Sequence, residues 1–284
     1  MLKIRMAVPK GRIFEKVVDL LSESGIYIKK SARSYRPIVN DMQLEIKILK
    51  PQNIAKLVEY GSHDVGFTGL DWIEETGADV VKLMDLGFDP VKIVSAKPKE
   101  LPEEELYNKK IVVASEYENI SKKYLNSKKM NYVFLRTFGA TEVFPPDDAD
   151  MIIDNTSTGS TLREHNLEIV DVIMESSTYL IANKESLENK EKREHIEELE
   201  MIFKSILDAR KRVMLEMNVP KDKLDTIVDF LPCMRAPTVS PLFGEQGYAV
   251  KTAVLKTEVR KIIPKLKKLG ATDILEYELK KVII

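Results

Sequence analysis

The sequence predicts an α/β protein of two lobes, followed by a small domain of mixed strands and helices. Three observations carry this. Apolar runs of strand length alternate with amphipathic helical stretches from Leu2 to Ala182, the pattern of mostly parallel sheets with helical crossovers. Apolar segments return late, at 170–173 and 178–182, so two sheets are expected, with the chain crossing from one lobe to the other and back. Beyond Arg212 the order becomes strand, helix, strand, strand, helix, strand, the βαββαβ plait of ferredoxin-like domains. The expected division is residues 1–90 plus 175–210 for lobe I, 91–174 for lobe II and 211–284 for the plait.

Composition agrees with a soluble globular chain: of 284 residues, 44% are hydrophobic and 31% charged. A formal net charge of −1 gives no overall field toward nucleic acid or a membrane surface. The single cysteine, Cys233, forbids an internal disulfide and makes a cysteine-based metal site improbable. The N-terminus carries Lys3 and Arg5 inside its apolar run, so it reads as a first strand and not a signal peptide. With no apolar run of membrane-spanning length, a cytoplasmic location is expected.

In order, Leu2–Val8 is the first strand, Pro9-Lys10-Gly11-Arg12 its exit turn, and Ile13, Phe14, Val17, Val18, Leu20 and Leu21 the stripe of a helix stopped by Gly25. Residues 43–49 alternate as a strand, and a short helix runs from Pro51 to Gly61. Asp64-Val65-Gly66-Phe67-Thr68-Gly69-Leu70-Asp71 is a strand with a glycine-rich exit, where backbone can approach a ligand closely. Strands follow at 80–86, 91–96, 111–114 and 132–135, with a helix at 117–125. The longest helical run is 187–210, opening on a solvated charge run. In the plait, strands at 213–217, 238–243, 248–255 and 274–279 enclose helices around Leu224–Leu231 and Thr257–Leu269.

The stretch 148–163 organises the functional reading. Met151-Ile152-Ile153 is a buried-strand run closed by Asp154, and Asn155-Thr156-Ser157-Thr158-Gly159-Ser160-Thr161 leads into a new helical pattern at Leu162 and Arg163. Amide N–H groups and hydroxyls in such a turn can surround a phosphate, with the helix's positive end favouring it. The carboxylate just before can accept hydrogen bonds from ribose hydroxyls. A plain N-cap at Ser157 or Thr158 accounts for one hydroxyl but not for the set. No Gly-Lys-Ser/Thr ending marks a nucleoside-triphosphatase loop. Lys10 and Arg12 sit at another strand's C-terminal end, where open α/β sheets bind ligands.

Five stretches together resemble the long form of the ATP phosphoribosyltransferases of histidine biosynthesis. They are Val8–Ile13, Asp64–Asp71, Gly139-Ala140-Thr141-Glu142, Asp150–Leu167 and Arg235-Ala236-Pro237-Thr238-Val239-Ser240-Pro241-Leu242, in family order along nearly the whole chain. The resemblance implies a two-lobed, periplasmic-binding-protein-like catalytic body with a C-terminal ferredoxin-like regulatory domain. It implies that N1 of the ATP adenine displaces pyrophosphate from C1 of phosphoribosyl pyrophosphate. It further implies feedback inhibition by histidine and a hexamer in equilibrium with a dimer. Asp154 would take the ribose hydroxyls, Thr156, Ser157, Thr158, Gly159, Ser160 and Thr161 the 5′-phosphate, and Glu142 would face the ribose or its Mg²⁺. Lys10, Arg12 and Lys50 would hold pyrophosphate or ATP phosphates, with Gly11, Gly69 and Asp71 on the nucleotide side. Mg²⁺ would arrive bound to substrate, with no direct protein ligands. Asn218, Met234, Thr238, Ser240 and Asp273 match the effector region. Two departures stand out: Lys50 replaces an arginine, and Asn155 follows Asp154 where other phosphoribosyltransferase loops carry a second acid. The competing class is a non-catalytic sensor of phosphosugars and amino acids, since solute-binding proteins share the two-lobed layout.

Overall fold

A computed structural model describes residues 3–29 and 35–284; Leu2 of the predicted first strand lies outside them. The chain divides into two compact units, residues 1–22 with 26–197, and 23–25 with 198–284. In chain order the first unit begins with β1 (Ile4–Pro9), α1 (Arg12–Glu23), β2 (Ile28–Lys29), β3 (Ile38–Val39), β4 (Leu44–Leu49), α2 (Pro51–Glu59), β5 (Val65–Gly69) and α3 (Leu70–Thr76). It continues with β6 (Val81–Pro98), α4 (Glu105–Asn108), β7 (Ile111–Ser115), α5 (Glu118–Ser127), β8 (Tyr132–Arg136), β9 (Met151–Thr156), α6 (Ser160–Glu164), β10 (Leu167–Ala182) and α7 (Lys184–Glu188). The division between units falls inside α8 (Lys190–Arg210). The second unit adds β11 (Arg212–Val219), α9 (Leu224–Phe230), β12 (Thr238–Pro241), β13 (Tyr248–Leu255), α10 (Lys256–Leu269) and β14 (Thr272–Glu278).

Instead of one sheet per lobe as expected, a single eight-stranded sheet, ordered β4-β1-β5-β10-β6-β9-β7-β8, spans both lobes of the first unit, and β2 and β3 pair apart from it as a two-stranded ribbon. Two parallel trios, β4-β1-β5 and β9-β7-β8, form the lobes. Between them β6 and β10 pair antiparallel with each other and with the inner strand of each trio. The sequence splits β6 into 80–86 and 91–96 because Gly87 and Pro90 interrupt it. The structure runs one strand through them, with positive φ at Gly87 and Asp89 and several shifts of register against β10. Bulges of this kind absorb residues that would otherwise end a strand. The same irregular pairing joins 170–173 to 178–182 in β10. The predicted helix 187–210 is also broken: Asn183 caps α7 by accepting from the Ser186 N–H at 2.9 Å, and Asn189 accepts from the Lys192 N–H at 3.1 Å to restart α8.

This topology positions the site. The parallel trios aim their C-terminal ends at the middle of the β6–β10 ribbon: Gly69, ending β5, pairs with Thr178, and Thr156, ending β9, pairs with Lys92. Each lobe is anchored by buried apolar groups, Ala7, Ile54, Val58 and Ile181 in one, Ile111, Val113, Leu125, Met151 and Ile153 in the other. Below lobe I, the fully buried Asp64 receives Arg5 Nε at 3.0 Å, Lys192 Nζ at 2.6 Å and Ser186 Oγ at 2.8 Å. Burial opposes its ionisation, yet these donors hold the carboxyl well below the usual carboxylate range.

The second unit is the plait expected: βαββαβ, with an antiparallel sheet ordered β12-β13-β11-β14. β11 alternates, burying Val213, Leu215, Met217 and Val219 under Ile227, Ile262 and Leu266. Its other face presents Met214, Glu216 and Asn218.

Candidate active site

The exit turn of β1 and the start of α2 lie side by side, because β1 and β4 pair in register and the Lys10 N–H donates to Leu49 O at 2.7 Å. Lys10, Gly11, Arg12 and Lys50 therefore meet at one corner, where they line a cavity of about 430 Å³ with Gly69 and Asp71. Lys10 Nζ rests 5.4 Å from the Tyr35 ring centroid, and Arg12 Nε lies 3.4 Å from Asp89 Oδ2. Both cations are exposed enough to turn toward a phosphate.

Asp71 is buried and is held by two hydroxyls, Ser176 Oγ donating to Oδ1 at 2.7 Å and Tyr117 Oη to Oδ2 at 2.8 Å. This explains Gly69 differently from the sequence reading. A Cβ on Gly69 would sit 2.0 Å from Asp71 Oδ1, so the glycine makes room for this carboxylate. Tyr117 stacks on Trp72, ring centroids 4.7 Å apart. Burial first, then the adjacent Asp71, holds its phenol far above the ordinary value, so it stays a donor.

A second cavity, about 340 Å³, is lined by Arg12, Glu142, Asp154, Asn155, Thr156, Ser157, Thr158, Ser160 and Thr161. It adjoins the first, since Arg12 and Asn155 line both. The structure therefore brings together the predicted catalytic and substrate residues of the two lobes. Gly159 takes φ +70°, which lets the chain turn into α6. Part of the turn is occupied internally: the Gly159 N–H donates to Thr156 Oγ1 at 2.9 Å, and the Ser160 N–H reaches Thr158 Oγ1 at 3.4 Å. The amides of Ser157, Thr158 and Thr161 lie in the same turn and first helical residues, and their side chains line the cavity. The helix that follows is a single turn, Ser160–Glu164, so its dipole adds less than the sequence suggested.

Asp154 accepts from the Asn155 N–H at 2.7 Å and from Asn155 Nδ2 at 3.2 Å. Burial pushes its carboxyl up to about 6; the Asn155 N–H pulls against this, and the charges of Glu142 and Glu116 add to the rise. A carboxyl in a cleft with so high a pKa is a functional-site signature. Glu142 itself is half-buried on a short 3₁₀ turn, Thr141–Val143, entered through Ala140 at φ +48°.

Sequence reasoning missed Trp72, Tyr117, Glu116, Ser176 and Ser177, all of which line the first cavity. The three consecutive hydroxyls Ser176-Ser177-Thr178, just before the apolar run Tyr179–Ala182, were the available signal.

In the plait, Asn218 Nδ2 donates to Asp273 Oδ2 at 2.9 Å, as does Thr272 Oγ1 at 2.9 Å. Asn218 and Ser240 flank Ala249 in register on one sheet face, and Thr238 stands two residues along from Ser240. Met234, 41% exposed, lies on the connection before β12.

Comparison with known proteins agrees with this geometry. The family model described as HisG, ATP phosphoribosyltransferase, matches residues 50–205, and the HisG C-terminal domain matches 209–281. An ATP phosphoribosyltransferase of Chlorobium phaeovibrioides is 42% identical over 288 residues, covering 99% of this chain and 97% of its own. The one from Pelotomaculum thermopropionicum is 40% identical over 290 residues, covering 99% and 100%. Among solved structures, an ATP phosphoribosyl transferase (HisG:HisZ) complex from Thermotoga maritima superposes with a TM-score of 0.63 at 26% identity, over 71% of this chain and 98% of that one. Nothing in these likenesses favours the sensor alternative. Two family models laid end to end, relatives matched over their full length, and a cleft with a hydroxyl-rich turn on one side and a basic corner on the other place this chain in the ATP phosphoribosyltransferase family, in its long form.

Proposed function

We propose that the cleft of this transferase of histidine biosynthesis holds phosphoribosyl pyrophosphate in the cavity after Asp154 and ATP in the cavity beside Lys10. The observation that supports this most is the sharing of Arg12 and Asn155 by the two cavities, which sets them edge to edge, as two substrates reacting with each other require. Adenine N1 forms a bond to C1 as the bond from C1 to the pyrophosphate oxygen breaks, the electron pair leaving with pyrophosphate. The work left to the protein is alignment and charge stabilisation.

The amides of Ser157, Thr158 and Thr161, with the hydroxyls of Ser157, Ser160 and Thr161, take the 5′-phosphate. Asp154 takes the ribose hydroxyls and, ionised, faces the positive charge that develops at C1. Glu142 supports it from the same cavity. Lys10, Arg12 and Lys50 balance the phosphates, and the flat Trp72–Tyr117 pair borders the nucleotide cavity. The charges of Glu142 and Glu116, which add to the rise that burial imposes on Asp154, make a negative corner that suits a substrate carrying magnesium. Bound magnesium would offset phosphate charge and ease departure of pyrophosphate.

For the plait the proposal is histidine binding by Asn218, Asp273, Thr238, Ser240 and Met234, with inhibition as its outcome. A hexamer in equilibrium with a dimer and a cytoplasmic location complete the proposal. No helix among the described residues is long and apolar enough to cross a membrane. The test is direct: full-length protein with ATP, phosphoribosyl pyrophosphate and Mg²⁺ should release one pyrophosphate for each phosphoribosyl-ATP, read by absorbance. Pyrophosphate released without an adenine adduct would overturn the assignment.

A further inference from the structure

We propose that Asn155 is a positioning residue for the transfer: its carboxamide ties Asp154 to Tyr117, and through the Tyr117–Asp71 bond to the opposite lobe, so the carboxylate facing the sugar is held in register with the nucleotide cavity. The proposal rests on the placement of the sugar at Asp154 given above and names how that placement is fixed.

The direction of every hydrogen bond in the chain is forced. Asp71 is an acceptor held from both sides, by Ser176 Oγ at 2.7 Å and by Tyr117 Oη at 2.8 Å. Tyr117 has one proton, and it goes to Asp71, so the phenolic oxygen can only accept from its remaining neighbour. That neighbour is Asn155 Nδ2, at 3.2 Å. The same nitrogen has a second proton and lies 3.2 Å from Asp154 Oδ1, while the Asn155 backbone N–H reaches that oxygen at 2.7 Å. Only a side chain with two donors on one atom satisfies both acceptors; an acid at 155 has none and would add a third negative charge beside Asp154 and Glu142.

The linkage also crosses the molecule where it matters. Asp71 opens α3 in lobe I and Ser176 lies in β10, whereas Tyr117 and Asn155 belong to lobe II, at the start of α5 and the end of β9. Asn155 lines both cavities, so it stands at the boundary across which N1 must meet C1. Misplacement of one reacting partner by about 1 Å is enough to cost on the order of 100-fold in rate.

The experiment measures single-turnover rate and phosphoribosyl pyrophosphate affinity separately, in full-length Asn155→Ala, Asn155→Asp, Tyr117→Phe and the double variant Asn155→Ala/Tyr117→Phe. We expect the rate to fall about tenfold or more in Asn155→Ala and Tyr117→Phe, and further in Asn155→Asp, with affinity within about threefold of the parent. The double variant should be no slower than the slower single, because both remove one linkage. Tyr117→Phe keeps the ring and its stacking, so it remains informative if changes at Asn155 impair folding. A parental rate in Asn155→Ala and Tyr117→Phe, losses that multiply in the double variant, or a loss confined to affinity would overturn the proposal. If the parent protein itself forms no phosphoribosyl-ATP, it is the functional assignment that fails.

Discussion

Asp154→Asn should make the protein more stable and less active at once, and the stability gain should depend on pH. The folded carboxyl titrates at about 6, against an ordinary value near 3.8. Two pKa units correspond to about 3 kcal/mol. The sign follows from linkage: a carboxyl whose folded pKa is raised favours the folded state below the unfolded value, and that advantage disappears as pH rises through about 6. Above pH 7 the parent carries the whole cost of an ionised, buried Asp154; asparagine carries none of it. At pH 5 the same linkage leaves roughly half, so the gain from Asp154→Asn should grow by about 1.5 kcal/mol between pH 5 and pH 8. Any constant effect of the amide cancels in that difference. Urea unfolding followed by Trp72, the single tryptophan, reads the correct unit. Turnover should drop by at least about 100-fold, since a charge facing C1 is lost. A stability difference that is flat between pH 5 and pH 8 would refute the claim that burial destabilises this carboxylate.

Other consequences follow from named contacts. Asp64→Ala removes the buried acceptor of the Arg5 N–H and of Arg5 Nε, Lys192 Nζ and Ser186 Oγ; the cations keep partial access to water, so the first unit should be destabilised by about 1–3 kcal/mol at pH 7. Because the Asp64 pKa is lowered in the folded protein, that deficit should shrink as pH falls below about 4, which acid titration of parent and variant would show. Gly69→Ala drives a Cβ into Asp71 and should displace it from Tyr117 and Ser176, with a loss of turnover comparable to Tyr117→Phe in a steady-state assay. Asp273→Ala removes the acceptor of Asn218 and Thr272 and should weaken L-histidine binding about tenfold or more by calorimetry.

Much of this architecture is legible in the chain because its signals are local. The plait could be read from a change of period, since β11 alternates strictly between buried and open faces. The turn after Asp154 could be read because small hydroxylic residues cluster there for want of any apolar role. What stayed hidden is non-local. Pairing between β6 and β10 spans irregular register, and Gly87 and Pro90 look like breaks until the partner strand shows that bulges absorb them. Tyr117 reads as a helix-start aromatic, and only the fold brings it against Asp71, forty-six residues away. Gly66 and Gly69 are visible as glycines, but their reasons are visible only in space: Gly66 admits Ile54 and Val58 of α2, and Gly69 admits a carboxylate.

The account depends most on the turn beyond Asp154 as the seat of the sugar phosphate. Ser157 is exposed in that turn, so Ser157→Asp places a negative charge among the phosphate-binding amides without disturbing the core. Binding of phosphoribosyl pyrophosphate and of ATP to this variant, measured separately by calorimetry, is the most direct test. The account predicts a loss of about 100-fold or more for phosphoribosyl pyrophosphate with ATP affinity nearly unchanged. Undiminished phosphoribosyl pyrophosphate binding, or an equal loss for ATP, would contradict it.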